Sequence, residues 1–115
     1  MEYNEDLKQY CYQYNGILFA WDEEPKEGFE ERVKKIAENY YKNFDRIVDF
    51  MLPDLREMYG DVKREDVKEK LGMPIINYEF GSVTYCEQTF DYCHIFDFEL
   101  SDDEFQNLDD FSVNG

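Results

Sequence analysis

Basic residues run out early in this sequence. Lys70 is the last Lys or Arg, and the segment from Leu71 to Gly115 holds ten acids and no base. Residues 1–70 carry 18 acids and all 12 bases, so the chain stands at −16, with −6 in the first segment and −10 in the second. Phosphate contacts need Lys and Arg, so direct nucleic-acid binding is disfavoured. Docking on an anionic membrane surface is disfavoured for the same reason. A basic partner is attracted. The plainer reading of the same acidity is that it keeps the protein soluble.

Other shortages narrow the class. No apolar run approaches the ~18 residues of a transmembrane helix. The opening Met1-Glu2-Tyr3-Asn4-Glu5-Asp6 is acidic and lacks the apolar centre of a signal peptide. Cysteines number three, Cys11, Cys86 and Cys93, an odd count. Together these predict a cytoplasmic protein in a reducing compartment, with the cysteines serving as small hydrophobes. No G-x-G-x-x-G, G-x-x-x-x-G-K-[ST], G-x-S-x-G or H-E-x-x-H occurs, so no catalytic or cofactor signature stands out. Internal repeats and low-complexity segments are also missing.

What is present is aromatic: ten Phe, ten Tyr and one Trp in 115 residues. Rings must fill much of the core, and most tyrosine hydroxyls must reach water or a partner. The length suits a single domain with a core of its own.

One stretch organises the rest. From Phe29 to Leu52, apolar residues fall at Phe29, Val33, Ile36, Tyr40, Phe44, Ile47, Val48 and Met51, with Ala37 and Tyr41 alongside. Steps of three and four predict one long amphipathic helix that needs a sheet or another helix to cover it. Pro53 cannot continue it without losing a hydrogen bond, so a short helix is expected from Pro53 to Tyr59, closed by Gly60 as an αL cap. A second short helix is expected over Arg64 to Leu71, with Val67 and Leu71 inward and Gly72 capping it.

Strands flank these helices. Asn15-Gly16 signals a type I′ hairpin pairing Tyr14 with Ile17, Tyr12 with Phe19 and Tyr10 with Trp21 on one face. Gln13, Leu18, Cys11 and Ala20 form the second, mixed face. Phe80-Gly81 is a second turn, pairing Tyr78 with Val83 and Ile76 with Tyr85. A longer loop near Phe90 to Cys93 then pairs Tyr85 with Phe98 and Glu87 with Phe96. Both turns agree on one apolar face: Ile76, Tyr78, Val83, Tyr85, Phe96, Phe98 and Leu100. Thr84, Cys86, Gln88, Asp97 and Glu99 point the other way. A last strand starts near Leu108. The fold class is α+β: an antiparallel sheet, made of an N-terminal hairpin and a C-terminal meander, packed against one long helix and two short ones. The hairpin either joins the meander's sheet or forms its own layer.

Three constellations carry candidate chemistry. In the register above His94, the single histidine, opposes Thr89 and lies diagonal to Glu87. A Glu87–His94 pair could move protons, but no nucleophile or oxyanion device accompanies it, and a polar pair closing the core serves as well. Cys86, Cys93 and His94 have neither the paired spacing nor the fourth ligand of a structural zinc site, so no metal is expected there. Asp102, Asp103, Glu104, Asp109 and Asp110 lack the alternation and central glycine of a calcium loop. The same acids suit a protein-binding patch better. The stripe Tyr10, Tyr12, Tyr14 suits core more than a ligand platform.

From Leu71 onward the chain resembles an uncharacterised family of small, acidic bacterial domains. The likeness is carried by Leu71-Gly72-Met73-Pro74-Ile75, Thr84-Tyr85-Cys86-Glu87-Gln88-Thr89, Asp91, His94-Ile95, Phe98-Glu99 and the ending Phe111-Ser112-Val113-Asn114-Gly115. Small acidic α+β domains of this kind are similar to the immunity proteins that neutralise bacterial polymorphic toxins. That resemblance implies a tight protein–protein inhibitor, often of a basic nuclease, and brings no catalytic residues.

The expectation is therefore a non-enzymatic, acidic interaction module without a cofactor, monomeric until it meets a basic protein partner. Glu99, Asp102, Asp103, Glu104, Asp109 and Asp110 are its expected contact residues, acting by steering and occlusion. Two alternatives stand beside it. One is a small enzyme or ligand-binding domain using Glu87, His94 and nearby tyrosines. The other is a structural subunit of a complex or a homodimer.

Overall fold

The computed structural model describes the whole chain except Met1, Leu7, Tyr92, Asp103 and Gly115. Its strands are β1 (Glu2–Asn4), β2 (Gln9–Tyr14), β3 (Ile17–Trp21), β4 (Pro74–Asn77), β5 (Ser82–Tyr85), β6 (Ile95–Leu100) and β7 (Leu108–Asn114). Between β3 and β4 lie helices α1 (Phe29–Lys42), α2 (Phe44–Tyr59) and α3 (Arg64–Lys70). All seven strands form one sheet in chain order. The first hairpin therefore joins the meander. It does so in parallel, with Leu18 beside Ile75 and Phe19 beside Ile76, while every other pairing is antiparallel. The expected wholly antiparallel sheet is thus corrected at one seam. A parallel neighbour needs a crossover, and the three helices supply it.

The first hairpin has the expected register, with Tyr14 opposite Ile17 and Tyr10 opposite Trp21. The meander is shifted. Ile76 pairs with Val83 and Val83 with Phe98, each two residues from the expected partner. Asn77 explains the first shift: its Oδ1 accepts the backbone N–H groups of Glu79 and Phe80, so the turn widens to begin at Tyr78. Because side chains alternate with a period of two, a shift of two keeps every residue on its side. Ile76, Val83, Tyr85, Phe96, Phe98 and Leu100 are all buried on the helix side. Gln88 departs from expectation. It is buried, its amide donating to the carbonyl of His94.

The single long helix is two helices. Asn43 sits between them at φ −107°, ψ 15°. Its side chain donates to the carbonyls of Asn39 and Glu104, and its Oδ1 accepts from Gln106. A polar side chain tied to a distant loop pulls the backbone out of helical dihedrals. The hydrogen bonds from Asn43 N–H to Asn39 and from Ile47 N–H to Asn43 persist, both 3.0 Å. The apolar stripe therefore continues across the joint: Val33, Ile36, Ala37 and Tyr40 are buried before it, Ile47, Val48 and Met51 after it. Tyr41 is the exception, exposed, with its hydroxyl donating to the carbonyl of Asn15 at the hairpin turn.

Pro53 does not end a helix either; α2 runs through it to Tyr59. Leu52 and Leu55 are buried on either side of the exposed proline. Continuous burial of that face outweighs one lost backbone hydrogen bond. Gly60 follows at φ +90°, outside the expected αL basin, with its N–H on the Arg56 carbonyl. The third helix is as expected, with Val67 and Leu71 buried and Gly72 at φ +76°.

Deep in the core the hydroxyls of Tyr40 and Tyr85 meet at 2.7 Å. Burial pushes both phenols above their ordinary range. Each hydroxyl is the partner that makes burial of the other tolerable. Tyr40→Phe or Tyr85→Phe alone should cost about 1–3 kcal/mol by orphaning the remaining hydroxyl. The double variant should be no less stable than either single one. Denaturant titration of the four proteins checks this; losses that simply add would contradict it.

Candidate functional site

Charge is segregated by layer. None of the seven strands contains Lys or Arg, whereas ten of the 12 bases lie in α1, α2, α3 or at the α3 cap, Lys63. Some of those bases answer acids of their own layer: Arg64 meets Asp49 at 2.6 Å and Lys68 meets Asp45 at 2.7 Å. The helices cover one side of the sheet and leave the other open. Cross-strand partners place Gln13, Leu18, Ile75, Thr84, Asp97 and Ser112 in one row on that open face. A second row holds Cys11 beside Ala20, then Ser82, Glu99 and Asp109. Neutral and apolar groups thus occupy β2 to β5, and carboxylates occupy β6 and β7. The mixed face expected of the hairpin is partly covered, with Ala20 buried and Leu18 half-buried.

The expected contact acids fare differently. Glu99 faces Asp109 in register, beside a bulge where Asp110 adopts φ +50°. A hydrogen bond with the Asp110 carboxyl, then its charge, then burial and the charges of Asp109 and Asp97, lift Glu99 above the usual carboxylate range. Glu99, Asp109 and Asp110 are exposed and form one negative ridge. Asp102 turns inward on its own loop. Its Oδ1 accepts the N–H groups of Glu104 and Gln106, and its Oδ2 accepts both nitrogens of Asn107. Burial pushes its pKa up, yet these donors hold it below the ordinary value. Glu104 is exposed, with its carbonyl taken by Asn43 and Gln106. Asp103 lies outside the described residues. Phe105, whose ring is buried against Tyr40, pins the same loop to the core.

Glu87 and His94 are not brought together. His94 precedes β6, so it does not oppose Thr89, and its Nδ1 lies 2.8 Å from the Asp91 carboxylate. An ionised carboxylate only accepts, so Nδ1 carries the hydrogen. The other Asp91 oxygen accepts the backbone N–H groups of Cys93 and His94 and the amide of Gln88. From α2 the Tyr59 hydroxyl donates to the same carboxylate. These donors, Tyr59 foremost, hold Asp91 far below the usual range, while burial and then Asp91 push the Tyr59 phenol up. Glu87 is exposed and lies over Gly72, where an added Cβ would stand 2.9 Å from it. The cluster is a latch tying the β5–β6 loop to the end of α2. A Gln88-x-x-Asp91 turn spacing could have signalled its local half; Tyr59 is too distant in sequence to be found.

The thiols also depart from expectation, since Cys86 and Cys93 are exposed and only Cys11 is half-buried. Burial and the charge of Glu87 raise the Cys86 pKa, which disfavours the reactive thiolate. Among the described residues no group of three or more His, Cys, Asp or Glu converges as metal ligands. No described helix is long and apolar enough to cross a membrane. Comparison with protein-family models, curated proteins and solved structures returns no match.

Two pH dependences follow. Asp91 is depressed, so its contribution to stability is present above the ordinary carboxylate range and lost on acidification. Asp91→Asn should lower Tm at neutral pH, with the gap to the parent closing as pH falls; a pH-independent gap would contradict this. Glu99 is raised, so the folded state is favoured below the ordinary value and loses that advantage as pH climbs through the shifted one. Glu99→Gln should raise Tm at neutral pH and not in acid, as paired thermal melts would show.

Proposed function

We propose that this chain is an acidic protein-interaction module that binds a basic protein partner, in the manner of an immunity-type inhibitor on a toxin or nuclease domain. One observation carries the reading: the side of the sheet left open by the helices bears no Lys or Arg in any strand and ends in a carboxylate ridge. Such a single-signed face raises the encounter rate with a cation-rich surface. It also repels a second copy of itself, which supports a monomer in the free state. Glu99, Asp109 and Asp110 are the primary contacts, with Glu104 beside them. Asp102 supports them by shaping the loop. Around Asp91 the described donors are loop backbone, Gln88, His94 and Tyr59, which supports a folding role for this latch over a catalytic one.

The test uses the product of the neighbouring reading frame as the partner. Binding should slow at least about tenfold between low and high salt, the size expected of steered association. Reversing Glu99, Asp109 and Asp110 to Lys should flatten that dependence at unchanged fold. Association insensitive to salt and to the reversals would remove the reading.

A further inference from the structure

We infer that the open face of the sheet receives an amphipathic, Lys/Arg-bearing α-helix of the partner, lying along the strands with its apolar stripe on Leu18 and Ile75. Its cationic flank then meets Asp97, Glu99 and Asp109. The inference rests on the reading above and names the element that docks.

Five observations point to a helix and to this place. Leu18 and Ile75 are side by side across the β3–β4 seam, half-buried and without helix cover. Around them stand short side chains, Cys11, Ala20, Ser82 and Thr84, which leave a low surface. The neutral zone from β2 to β5 is four strands wide, roughly 14 Å at the usual strand spacing, and a helix is roughly 10–12 Å across. A cavity of about 390 Å³ deepens its outer end, lined in part by Glu2, Cys11, Gln13 and Leu18. The acids begin two strands beyond Ile75, within reach of Lys or Arg stems on the helix flank.

The other occupants fit less well. A second copy would lay −16 against −16. A strand added at the β7 edge would meet a bulge and the paired acids Asp109 and Asp110, devices that blunt an edge. At the other edge β1 is three residues long.

The experiment presents the full chain with two synthetic peptides of about 18 residues, long enough to form a helix. Both contain only Leu and Lys in equal composition. One has leucines at helical spacing; the other is scrambled. The striped peptide should bind at least tenfold tighter and gain helix by circular dichroism. It should shift amide resonances of Leu18, Ile75, Thr84 and Asp97 more than those of α1. Thr84→Lys and, separately, Ile75→Lys should each weaken it at least tenfold; Thr84, the smaller and more polar of the two side chains, guards against a folding defect in the other. Equal affinity of the two peptides, or shifts confined to the β7 edge, would overturn the helix. If that equal binding still depended on Glu99 and Asp109, the acidic-module reading would survive without it. No binding by either peptide would also overturn the helix, while leaving the neighbouring-frame experiment to decide the module.

Discussion

The parallel contact between β3 and β4 is what turns two separate β units into one molecule. Leu18 beside Ile75 and Phe19 beside Ile76 make a short seam, yet both halves of the sheet meet there. Once joined, the sheet has a single apolar side, from Phe19 and Trp21 through Ile76 and Tyr85 to Phe98. A sheet of that width exposes too much apolar surface to stand uncovered. Because the pairing is parallel, the chain must return from the end of the sheet where β3 finishes to the opposite end, where β4 begins. That crossing carries α1, α2 and α3 over the apolar side. Topology and burial therefore impose the same arrangement, and the opposite side is left to solvent as a consequence.

Much of this was legible in the residues. Period-two alternation sorted the strand residues onto their sides even where the partner was misread by two positions. Asn77 was the reason for the misreading between β4 and β5: a side chain that caps its own turn adds residues to it, and turn length is not encoded in alternation. The helical stripe likewise read through Asn43 without interruption, because Tyr40, Phe44 and Ile47 keep their spacing across the break. What broke the helix was a tertiary tie from Asn43 to Glu104 and Gln106, 61 and 63 residues away and invisible to any local pattern. Pro53 erred in the other direction. Its local cost was real, but a face buried on both sides of it outweighed that cost.

The candidate site divides along the same line. Composition located the excess of acid in the second half of the chain. It did not show that strands exclude bases altogether, which needs the strand boundaries. Nor did it separate acids with the same residue type and opposite duties. Asp102 and Asp91 are held by donors of their own loops, and Glu99, Asp109 and Asp110 are left facing outward. Asp91 accepts four kinds of donor at once, from backbone, Gln88, His94 and Tyr59. A sheet whose outer face carries one sign, beside a helix layer where both signs pair, is the arrangement on which the proposal of a cationic partner rests.

The seam on which all this depends can be observed directly. Nuclear Overhauser contacts in solution between the backbone protons of Leu18 and Ile75, and of Phe19 and Ile76, should appear in the pattern of a parallel ladder. Their amides should exchange as slowly as those of β5 and β6. If those contacts were missing, and β2 and β3 exchanged as an independent hairpin, the single sheet and its open acidic face would both be wrong.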